Sequence, residues 1–283
     1  MDIELARTFL AVYETGTFNR AAERLNVTQS TVSTRIMSLE EQLGRSLFVR
    51  SRSGTELSHA GRHFHRHAAN LVRIWGQARQ ELTLPENLSA VLRMGGQYSL
   101  WDELIQQWLP WMRKTLPGVA VHVEIAAPDA ITRQLQEGLL NLAVMYMPQS
   151  RSNLVIDKLT DDRLVLVSAD PQGGGPLDAA YVHVDWGPEF QAEYAMTYPG
   201  APYPALSVSH GMLGLTHILK HGGSAYLPRR AVHGHVKSGT LFAMKGAPWF
   251  LRPIYLVHPA QQGEDTHVQA AIQGLKTIAA KMR

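Results

Sequence analysis

Small hydrogen-bonding side chains are concentrated at the start of one predicted helix near the beginning of the chain. In the segment TQSTVST they are Thr28, Gln29, Ser30, Ser33 and Thr34. Hydroxyl and amide groups donate and accept hydrogen bonds, and short side chains let a helix backbone approach the base edges in the DNA major groove. The pattern predicts a helix that reads DNA, although an ordinary helical hairpin at a domain edge would have the same spacing.

Histidines form a second group of chemically active side chains, at His59, His63, His65 and His67. Positions four apart share one helix face, which is the spacing of paired zinc ligands. No third ligand of fixed geometry and no carboxylate lies close in sequence, so we expect a solvated helix face, without a metal site or a cofactor. The chain has no cysteine, no G-x-S-x-G elbow, no phosphate-binding loop and no H-E-x-x-H helix, and no catalytic residue is predicted.

The residues before the polar helix predict its support. An amphipathic first helix ends near Gly16, and Thr17 can cap a second helix in which Ala21 and Ala22 allow close packing. Thr28 then caps the third helix. Its apolar stripe consists of Val32, Ile36, Leu39 and Leu43. This order of short helices predicts a helix–turn–helix, in which the third helix is held outward.

The segment after the third helix predicts a two-stranded wing. Residues 47–49 and 55–57 have strand character, and the turn lies at residues 53–54. Arg50 and Arg52 alternate with smaller residues, so both side chains can point to one side. We expect them to contact the phosphate backbone, which positions a protein on DNA without reading sequence.

The run FNRAAERLNVTQSTVSTRIMSLEEQLGRSLFVRSRSGTELSHAG resembles the winged helix–turn–helix of LysR-type transcriptional regulators. The resemblance implies that Gln29, Ser30 and Ser33 contact bases and that Arg50 contacts phosphate. Many members carry arginine directly after the serine, whereas this chain has Thr34 there and the arginine at Arg35. Position 35 lies about 100° further round the helix, so a phosphate contact is expected for Arg35.

A long linker helix is predicted over residues 58–84, because Ser58 can cap it and Pro85 ends it. Its apolar positions repeat at spacings of four and three, as in a coiled-coil seam. They are Phe64, Ala68, Leu71, Trp75, Ala78 and Leu82. We expect this seam to form a homodimer, as the resemblance also implies, so that paired recognition helices would meet a dyad operator. Packing against the next domain of the same chain is the alternative.

The larger part of the chain alternates strands with helices, which predicts an α/β fold with parallel strands in βαβ units. Two lobes joined by crossing strands would give an effector domain of periplasmic-binding-protein type, which the family resemblance also implies. The predicted domains are the winged helix–turn–helix (1–58), the linker helix (59–85) and the effector domain (86–283). Within the effector domain, lobe I comprises about 91–160 and 260–283, and lobe II about 163–258.

Ligands of open α/β sheets bind beyond the carboxyl ends of strands, near helix N-termini. This rule selects candidate effector-binding residues, each of which could also be a loop or core position. They are Gln97, Tyr98, Ser99, Pro128, Asp129, Tyr146, Met147, Ser209, His210, Gly223 and Ser224. A small organic anion is the predicted effector class, although no arginine lies at these corners except by long reach.

The expected setting is a cytoplasmic DNA-binding regulator with no membrane partner. Net charge is +3, and the beginning of the chain has no signal-peptide pattern. The resemblance implies assembly to a homotetramer, and a member that activates transcription would also contact RNA polymerase. The segments SLWDELIQQWL and DWGPEFQ are similar to a family member associated with flagellar genes, which makes motility genes candidate targets. The competing reading is a cytoplasmic small-molecule-binding protein or an enzyme on a two-lobed α/β scaffold.

Overall fold

The computed structural model describes residues 2–51 and 54–282. Its contacts divide the chain into two compact units, one ending at Asn87 and the other beginning at Leu88. The linker helix therefore belongs to the first unit. In the described residues, no helix has both the length and the apolar character needed to cross a membrane.

The helices of the first unit begin and end where their capping residues require. They are α1 (Ile3–Thr15), α2 (Phe18–Leu25) and α3 (Gln29–Leu43). Their N-cap side chains accept a hydrogen bond from the first turn in each case: Asp2, Thr17 and Thr28. Their C-caps adopt the left-handed conformation that stops a helix: Gly16, Asn26 and Gly44.

The core of the first unit is built around Phe9, which is fully buried. Its ring centroid lies 5.1 Å from that of Phe48 and 5.1 Å from that of Phe64, so α1, the wing and the linker helix meet there. The predicted stripe of α3 supplies Val32, Ile36 and Leu39, all buried, whereas Leu43 is exposed. Ala21 and Ala22 are also buried, as close helix packing requires.

The wing consists of β1 (Phe48–Ser51) and β2 (Gly54–Leu57), paired antiparallel. The Glu40 carboxylate of α3 accepts hydrogen bonds from the backbone N–H groups of Leu47, at 2.6 Å, and Phe48, at 3.3 Å. This fixes the wing to α3. A side chain at Gly61 would stand 2.1 Å from the Leu47 carbonyl oxygen, so this position must be glycine.

The linker helix α4 spans His59–Leu82, and the predicted seam divides along it. Ala68 is fully buried in the core of the first unit, and Phe64 is half-buried against the same core. The exposed apolar stripe begins later. It consists of Leu71, Ile74, Trp75, Ala78 and Leu82, of which Ile74 was not among the predicted seam residues. The sequence pattern did not distinguish the two parts because both continue the same heptad spacing.

The first lobe of the second unit contains parallel strands β3 (Ala90–Gly96), β4 (Val119–Ile125) and β5 (Leu142–Tyr146). A 3₁₀ turn and a π-helical turn lead into α5 (Gln106–Thr115), followed later by α6 (Pro128–Gln136). The C-terminal α10 (Thr266–Lys281) returns to this lobe, where the Trp108 indole N–H donates to the Ala271 carbonyl at 3.0 Å.

The second lobe contains strands β7 (Val182–Val184), β8 (Leu206–Val208), β9 (Ser224–Pro228) and β10 (Phe242–Ala243). Its helices are α7 (Pro188–Thr197), α8 (Gly211–His221) and α9 (Arg229–Lys237). Helices α7 and α9 were not predicted from sequence. Tyr226 and Phe190 lie in the core of this lobe, which is separate from the core around Trp108.

Two long antiparallel strands, β6 (Leu154–Ser168) and β11 (Phe250–Pro259), run through both lobes. The main sheet has the order β10-β6-β11-β5-β3-β4, with β9 also paired to β6. It is therefore mixed, and the predicted parallel pairing holds within the first lobe and for β7 with β8. Asp162 and Arg252 are opposite each other on these crossing strands.

Candidate nucleic-acid interface and interlobe site

The start of α3 carries a hydrogen-bonded network on the protein surface. The Thr28 hydroxyl oxygen caps the helix by accepting from the Thr31 backbone N–H at 3.2 Å, and it lies 2.8 Å from the Ser30 hydroxyl. The Gln29 side-chain amide donates to the Ser33 hydroxyl at 2.9 Å. Thr28, Gln29 and Ser30 are exposed and Ser33 is half-buried. Four of the predicted DNA-contacting residues thus lie together at the helix N-terminus.

Thr34 is also exposed on α3, but Arg35 lies on a different side of the helix. The Arg35 guanidinium donates to the Thr8 hydroxyl at 3.3 Å and lies 3.6 Å from the Glu4 carboxylate. Both partners belong to α1. The expected phosphate contact of Arg35 stays a prediction, although these contacts hold its guanidinium against α1. The helical offset from position 34 carries the side chain toward the supporting helix.

The predicted wing arginines are only partly described. The backbone of Arg50 lies in β1 opposite Thr55, and the placement of the Arg50 side chain is not among the described features. Arg52 lies outside the described residues. Both stay predictions as phosphate contacts.

The histidines of α4 do not converge on a metal. His59 and His63 have ring centroids 4.7 Å apart, whereas His65 packs against the Tyr13 ring at 4.4 Å. Across residues 2–51 and 54–282, no three or more His, Cys, Asp or Glu side chains are grouped so that they could hold a metal ion.

In the second unit, several predicted effector residues lie together between the lobes. The Gln97 side-chain oxygen accepts from the Tyr146 backbone N–H, and the Tyr98 ring lies 5.9 Å from the His210 ring across the cleft. Met147 follows with a left-handed backbone, φ 48°. These residues occupy the carboxyl ends of β3 and β5 and the start of α8, as the sheet rule requires.

Other predicted effector residues lie elsewhere. Asp129 is exposed and accepts from Gln149 at 3.1 Å, and Pro128 opens α6 beside it. Ser209 is exposed, and Gly223 and Ser224 lie at the amino end of β9, where Ser224 pairs with Ser168. The carboxyl end of β9, which the sheet rule selects, is Pro228 and leads directly into α9. The wrong end of this strand was chosen from sequence.

Arg230, in the first turn of α9, connects the two lobes. Its Nε donates to the Asp162 carboxylate at 3.0 Å, and its Nη2 donates to the Ser99 carbonyl and lies 3.3 Å from the Tyr146 hydroxyl. The Tyr146 hydroxyl donates to the same Asp162 oxygen at 2.7 Å. The side chains of Arg230 and Asp162 are only 7% and 3% exposed. A closed network therefore joins α9, the 3₁₀ turn after β3, β5 and β6.

Burial and charge act against each other in this network. Burial alone lowers the pKa of the Arg230 guanidinium, but Tyr146 and Asp162 outweigh it and the pKa is raised. The pKa of the Tyr146 hydroxyl is raised, first by burial and then by the Asp162 charge. The Tyr146 hydroxyl is therefore neutral and donates a hydrogen bond to Asp162, while Arg230 and Asp162 form a buried ion pair.

Arg252 lies beside this network on β11. Its guanidinium carbon is 3.8 Å from the centroid of the Tyr146 ring and 5.0 Å from that of Trp186. The Trp186 indole N–H donates to the Tyr226 carbonyl at 2.9 Å, which fixes the ring. Burial lowers the pKa of Arg252.

Trp186 separates two small cavities of the cleft. The cavity on the Arg252 side has a volume of about 10 Å³, and its lining includes Met147 and Phe190. The cavity on the other side, about 20 Å³, is lined by Tyr98, Ser99 and the apolar side chains of α8. Either volume is roughly that of one water molecule.

Comparisons with known proteins agree with this architecture. A family model described as "Bacterial regulatory helix-turn-helix protein, lysR family" matches residues 3–62, and one described as "LysR substrate binding domain" matches residues 85–280. The chain is similar to the HTH-type transcriptional regulator HdfR of Yersinia enterocolitica, with 29% identity over 96% of each chain. It is 32% identical to HdfR of Escherichia fergusonii over 94% of each. The crystal structure of full-length CbnR complexed with its target DNA has the same fold, with a TM-score of 0.71, 18% identity and 100% coverage of both chains.

Proposed function

This chain belongs to the LysR family of transcriptional regulators, and we propose that it acts as a dimer or tetramer that reads a dyad operator in double-stranded DNA. It is a regulator with a DNA-binding domain and an effector-binding domain, not an enzyme. The observation that carries the proposal is the outward-facing polar network at the start of α3. Transcription regulation also makes the cytoplasm its expected location.

The chemistry of this network suits the major groove. Gln29 and Ser33 are already paired through one hydrogen bond, so the Gln29 carbonyl oxygen and the second amide hydrogen are left to meet a base edge. Asn and Gln side chains pair bidentately with adenine in this groove. Thr28 and Ser30 surround the helix N-terminus, whose partial positive charge favours a phosphate.

We expect Gln29→Ala and Ser33→Ala each to weaken specific operator binding by about 1–3 kcal/mol and to relax sequence choice, because a base contact is lost. Operator and non-operator affinities should be measured by fluorescence anisotropy, with footprinting to report position. Gln42→Ala is the matched control, since Gln42 donates to Ser38 at 3.3 Å on the same helix in the same spacing. Equal losses in Gln29→Ala and Gln42→Ala would refute the assignment.

Arg35→Ala tests the opposite assignment for a charged residue on the same helix. The Arg35 contacts with Glu4 and Thr8 are partly exposed, so their loss should lower the free energy of unfolding by at most about 1 kcal/mol. A plot of the logarithm of the DNA-binding constant against the logarithm of the salt concentration should keep its slope. Loss of a phosphate contact would instead make this negative slope shallower by roughly 0.9. Arg24→Ala, which breaks an exposed pair with Glu14, is the control. A shallower salt dependence for Arg35→Ala but not for Arg24→Ala would mean that Arg35 contacts a phosphate.

The exposed stripe of α4 supports the oligomeric part of the proposal. Leu71, Trp75 and Leu82 are exposed together with Ile74 and Ala78, whereas apolar residues nearer the start of the helix are packed in the core of the first unit. A contiguous apolar stripe on a long helix is typical of a coiled-coil partner surface. Pairing two chains there would give the assembly two copies of α3, one for each half of a dyad site.

The interlobe cleft is the proposed effector site. It contains Tyr98, Ser99, Tyr146, Met147 and His210, at the strand ends and helix start where ligands of such sheets bind. The ligand would act by changing the balance between arrangements of the lobes. A small-molecule effector in this cleft also explains why charged side chains are held there, away from the surface.

Similarity to known regulators suggests candidate target genes. The chain is similar to HdfR proteins at about 30% identity, and its sequence also resembles a family member associated with flagellar genes, so flagellar and motility genes are the first candidates to examine. Genome-wide mapping of bound DNA would identify the operators directly. Contact with RNA polymerase belongs to the proposal only if the mapped sites prove to be activated.

A further inference from the structure

One face of the first half of α4 carries only arginine and histidine side chains, and all of them are exposed. They follow one another at spacings of three and four residues, which places them on one side of the helix. These residues, called the basic face below, are His59, Arg62, His63, Arg66 and His67. The opposite side of the helix carries Ala68, which is fully buried in the core of the first unit. The basic face therefore points to solvent.

The charge of this face is of one sign. No aspartate or glutamate occurs in the sequence between Ser58 and Gln80. Within residues 2–51 and 54–282, no carboxylate lies within 4 Å of the guanidinium of Arg62 or Arg66. A surface with several positive groups and no acidic ones attracts a polyanion.

The basic face begins where the wing ends. Arg62 donates from Nη1 to the carbonyl oxygen of Leu57, the last residue of β2, at 2.9 Å. A guanidinium has five N–H groups, so Arg62 can make this contact and still donate to an anion. Because Arg50 and Arg52 of the wing are expected to contact phosphate, a phosphate-binding surface on the wing would continue onto α4.

Two histidines of the basic face are close neighbours. The ring centroids of His59 and His63 are 4.7 Å apart. Two imidazolium ions at this distance repel each other, whereas a phosphate beside both rings would accept a hydrogen bond from each. Protonation of the pair and binding of an anion therefore favour each other.

The acidic groups of the elements packed against α4 do not neutralise the basic face. The carboxylates of α1 are engaged within α1 or with arginines of α2 and α3: Asp2, Glu4 and Glu14. The Tyr13 ring of α1 contacts His65, which lies outside the basic face. Glu56 of β2 is exposed, so solvent and salt screen its charge.

We propose that the basic face of α4 is a second, sequence-independent contact with DNA, which binds the phosphate backbone next to the operator and strengthens when its histidines are protonated. The proposal rests on the operator function proposed above. Duplex DNA carries one negative charge per about 1.7 Å of its axis. The basic face extends over about 12 Å of helix, so several phosphates would be within its reach. Phosphate contacts do not read sequence, and this one would add affinity for any duplex.

An acidic segment of another protein is the competing partner for a basic helix face. Two features of the first unit favour DNA. The basic face adjoins the wing through the contact of Arg62 with Leu57, and the polar network at the start of α3 belongs to the same unit. DNA held by α3 and the wing would already be close to α4.

The test titrates the full-length protein with a fluorescent poly(dA-dT) duplex at about pH 8 and about pH 6, between which histidine gains its proton. Binding takes up protons in the proposed mechanism, so the affinity should rise as the pH falls. The slope of the logarithm of the binding constant against the logarithm of the salt concentration is negative. At the lower pH it should become steeper by roughly 0.9 for each histidine that gains a phosphate.

His59→Gln/His63→Gln/His67→Gln should remove this pH-dependent increase in affinity and slope. His217→Gln/His221→Gln is the matched control and should retain it, because these residues are another neighbouring pair, with centroids 4.9 Å apart, on α8 of the second unit. Melting temperatures of all variants show that they are folded. An unchanged increase in the triple variant, or an equal loss in the control, overturns the proposal.

Arg66→Gln tests the permanent charge of the same face. It should make the salt dependence shallower by roughly 0.9 at both pH values, because an arginine contact with phosphate does not depend on pH in this range. An unchanged slope at both pH values would remove Arg66 from the contact and contradict the proposed surface.

Poly-L-glutamate is titrated in parallel to separate the two partner classes. Tighter binding of poly-L-glutamate than of the duplex at equal ionic strength, with the same dependence on the three histidines, overturns DNA as the partner. Footprints on mapped operators separate this proposal from the operator function. Specific footprints without any histidine-dependent pH effect would reject the basic face as a DNA contact and leave the operator function intact. A histidine-dependent pH effect on the duplex, without any specific footprint, would support the contact and reject the operator function.

Discussion

Asp162→Asn is expected to lower the free energy of unfolding of the second unit by about 3–5 kcal/mol, because it leaves Arg230 buried without a counter-charge. Asn can still accept hydrogen bonds from Tyr146 and Arg230, so the main change is the lost charge. For a unit of this size the melting temperature should fall by roughly 6–20 °C. Thermal and urea unfolding monitored by circular dichroism would measure both quantities.

The control for Asp162→Asn lies on the same strand. Asp157 pairs with Lys276 at 3.3 Å, but both side chains are more than 40% exposed, so Asp157→Asn should change stability by less than about 1 kcal/mol. The double variant Asp162→Asn/Arg230→Met removes both charges and should regain most of the lost stability. If the double variant is as unstable as Asp162→Asn, the loss does not come from the unpaired arginine.

The ion pair between Asp162 and Arg230 could not be predicted from the sequence. Asp162 and Arg230 are 68 positions apart, and their contact depends on the pairing of β9 with β6, in which Leu164 is opposite Pro228. No local period or cap marks either residue. Arg230 could still have been selected as a candidate site residue. Ligands bind beyond the carboxyl ends of strands, and β9 ends at Pro228, two residues before Arg230.

The first unit was more predictable because its signals are local. Thr17 and Thr28 were expected as N-caps and Gly16 as a helix end, and each occupies that position. A cap depends on a hydrogen bond to a residue two or three positions away, so neighbouring sequence is sufficient to find it. Arg35 is the counterexample in the same helix, since its partners Glu4 and Thr8 come from another element.

The strands that cross between the lobes were only partly predicted. The sequence indicated strands at 164–168 and around PIYLVHP, whereas β6 and β11 begin at Leu154 and Phe250. The first half of β6 includes the charged residues Asp157, Lys158 and Asp161, which are uncommon in strands and lower its apparent strand character. These residues lie in a strand because β11 pairs with them along its length.

Trp75→Asp is expected to halve the mass of the assembly in solution. Trp75 is 47% exposed within its own chain, and Leu71 and Leu82 continue the same stripe. Pairing of two such stripes would bury Trp75, and a carboxylate there would have to give up its hydration. Because two linked half-site contacts reinforce each other, specific operator affinity should also fall by about 10²–10⁴-fold. Light scattering after size-exclusion chromatography and operator titrations would measure the two effects.

The matched control for Trp75→Asp is Gln80→Asp on the same helix. Position 80 lies about 140° round from position 75, and Gln80 is exposed, so the same new charge should leave both mass and operator affinity unchanged. Folding of the single chain should survive Trp75→Asp, because the core of the first unit ends before this residue and includes Phe64, Ala68 and Val72 instead. A folded Trp75→Asp variant of undiminished mass would mean that the stripe packs against its own chain, and the two copies of α3 would then need another means of pairing on a dyad.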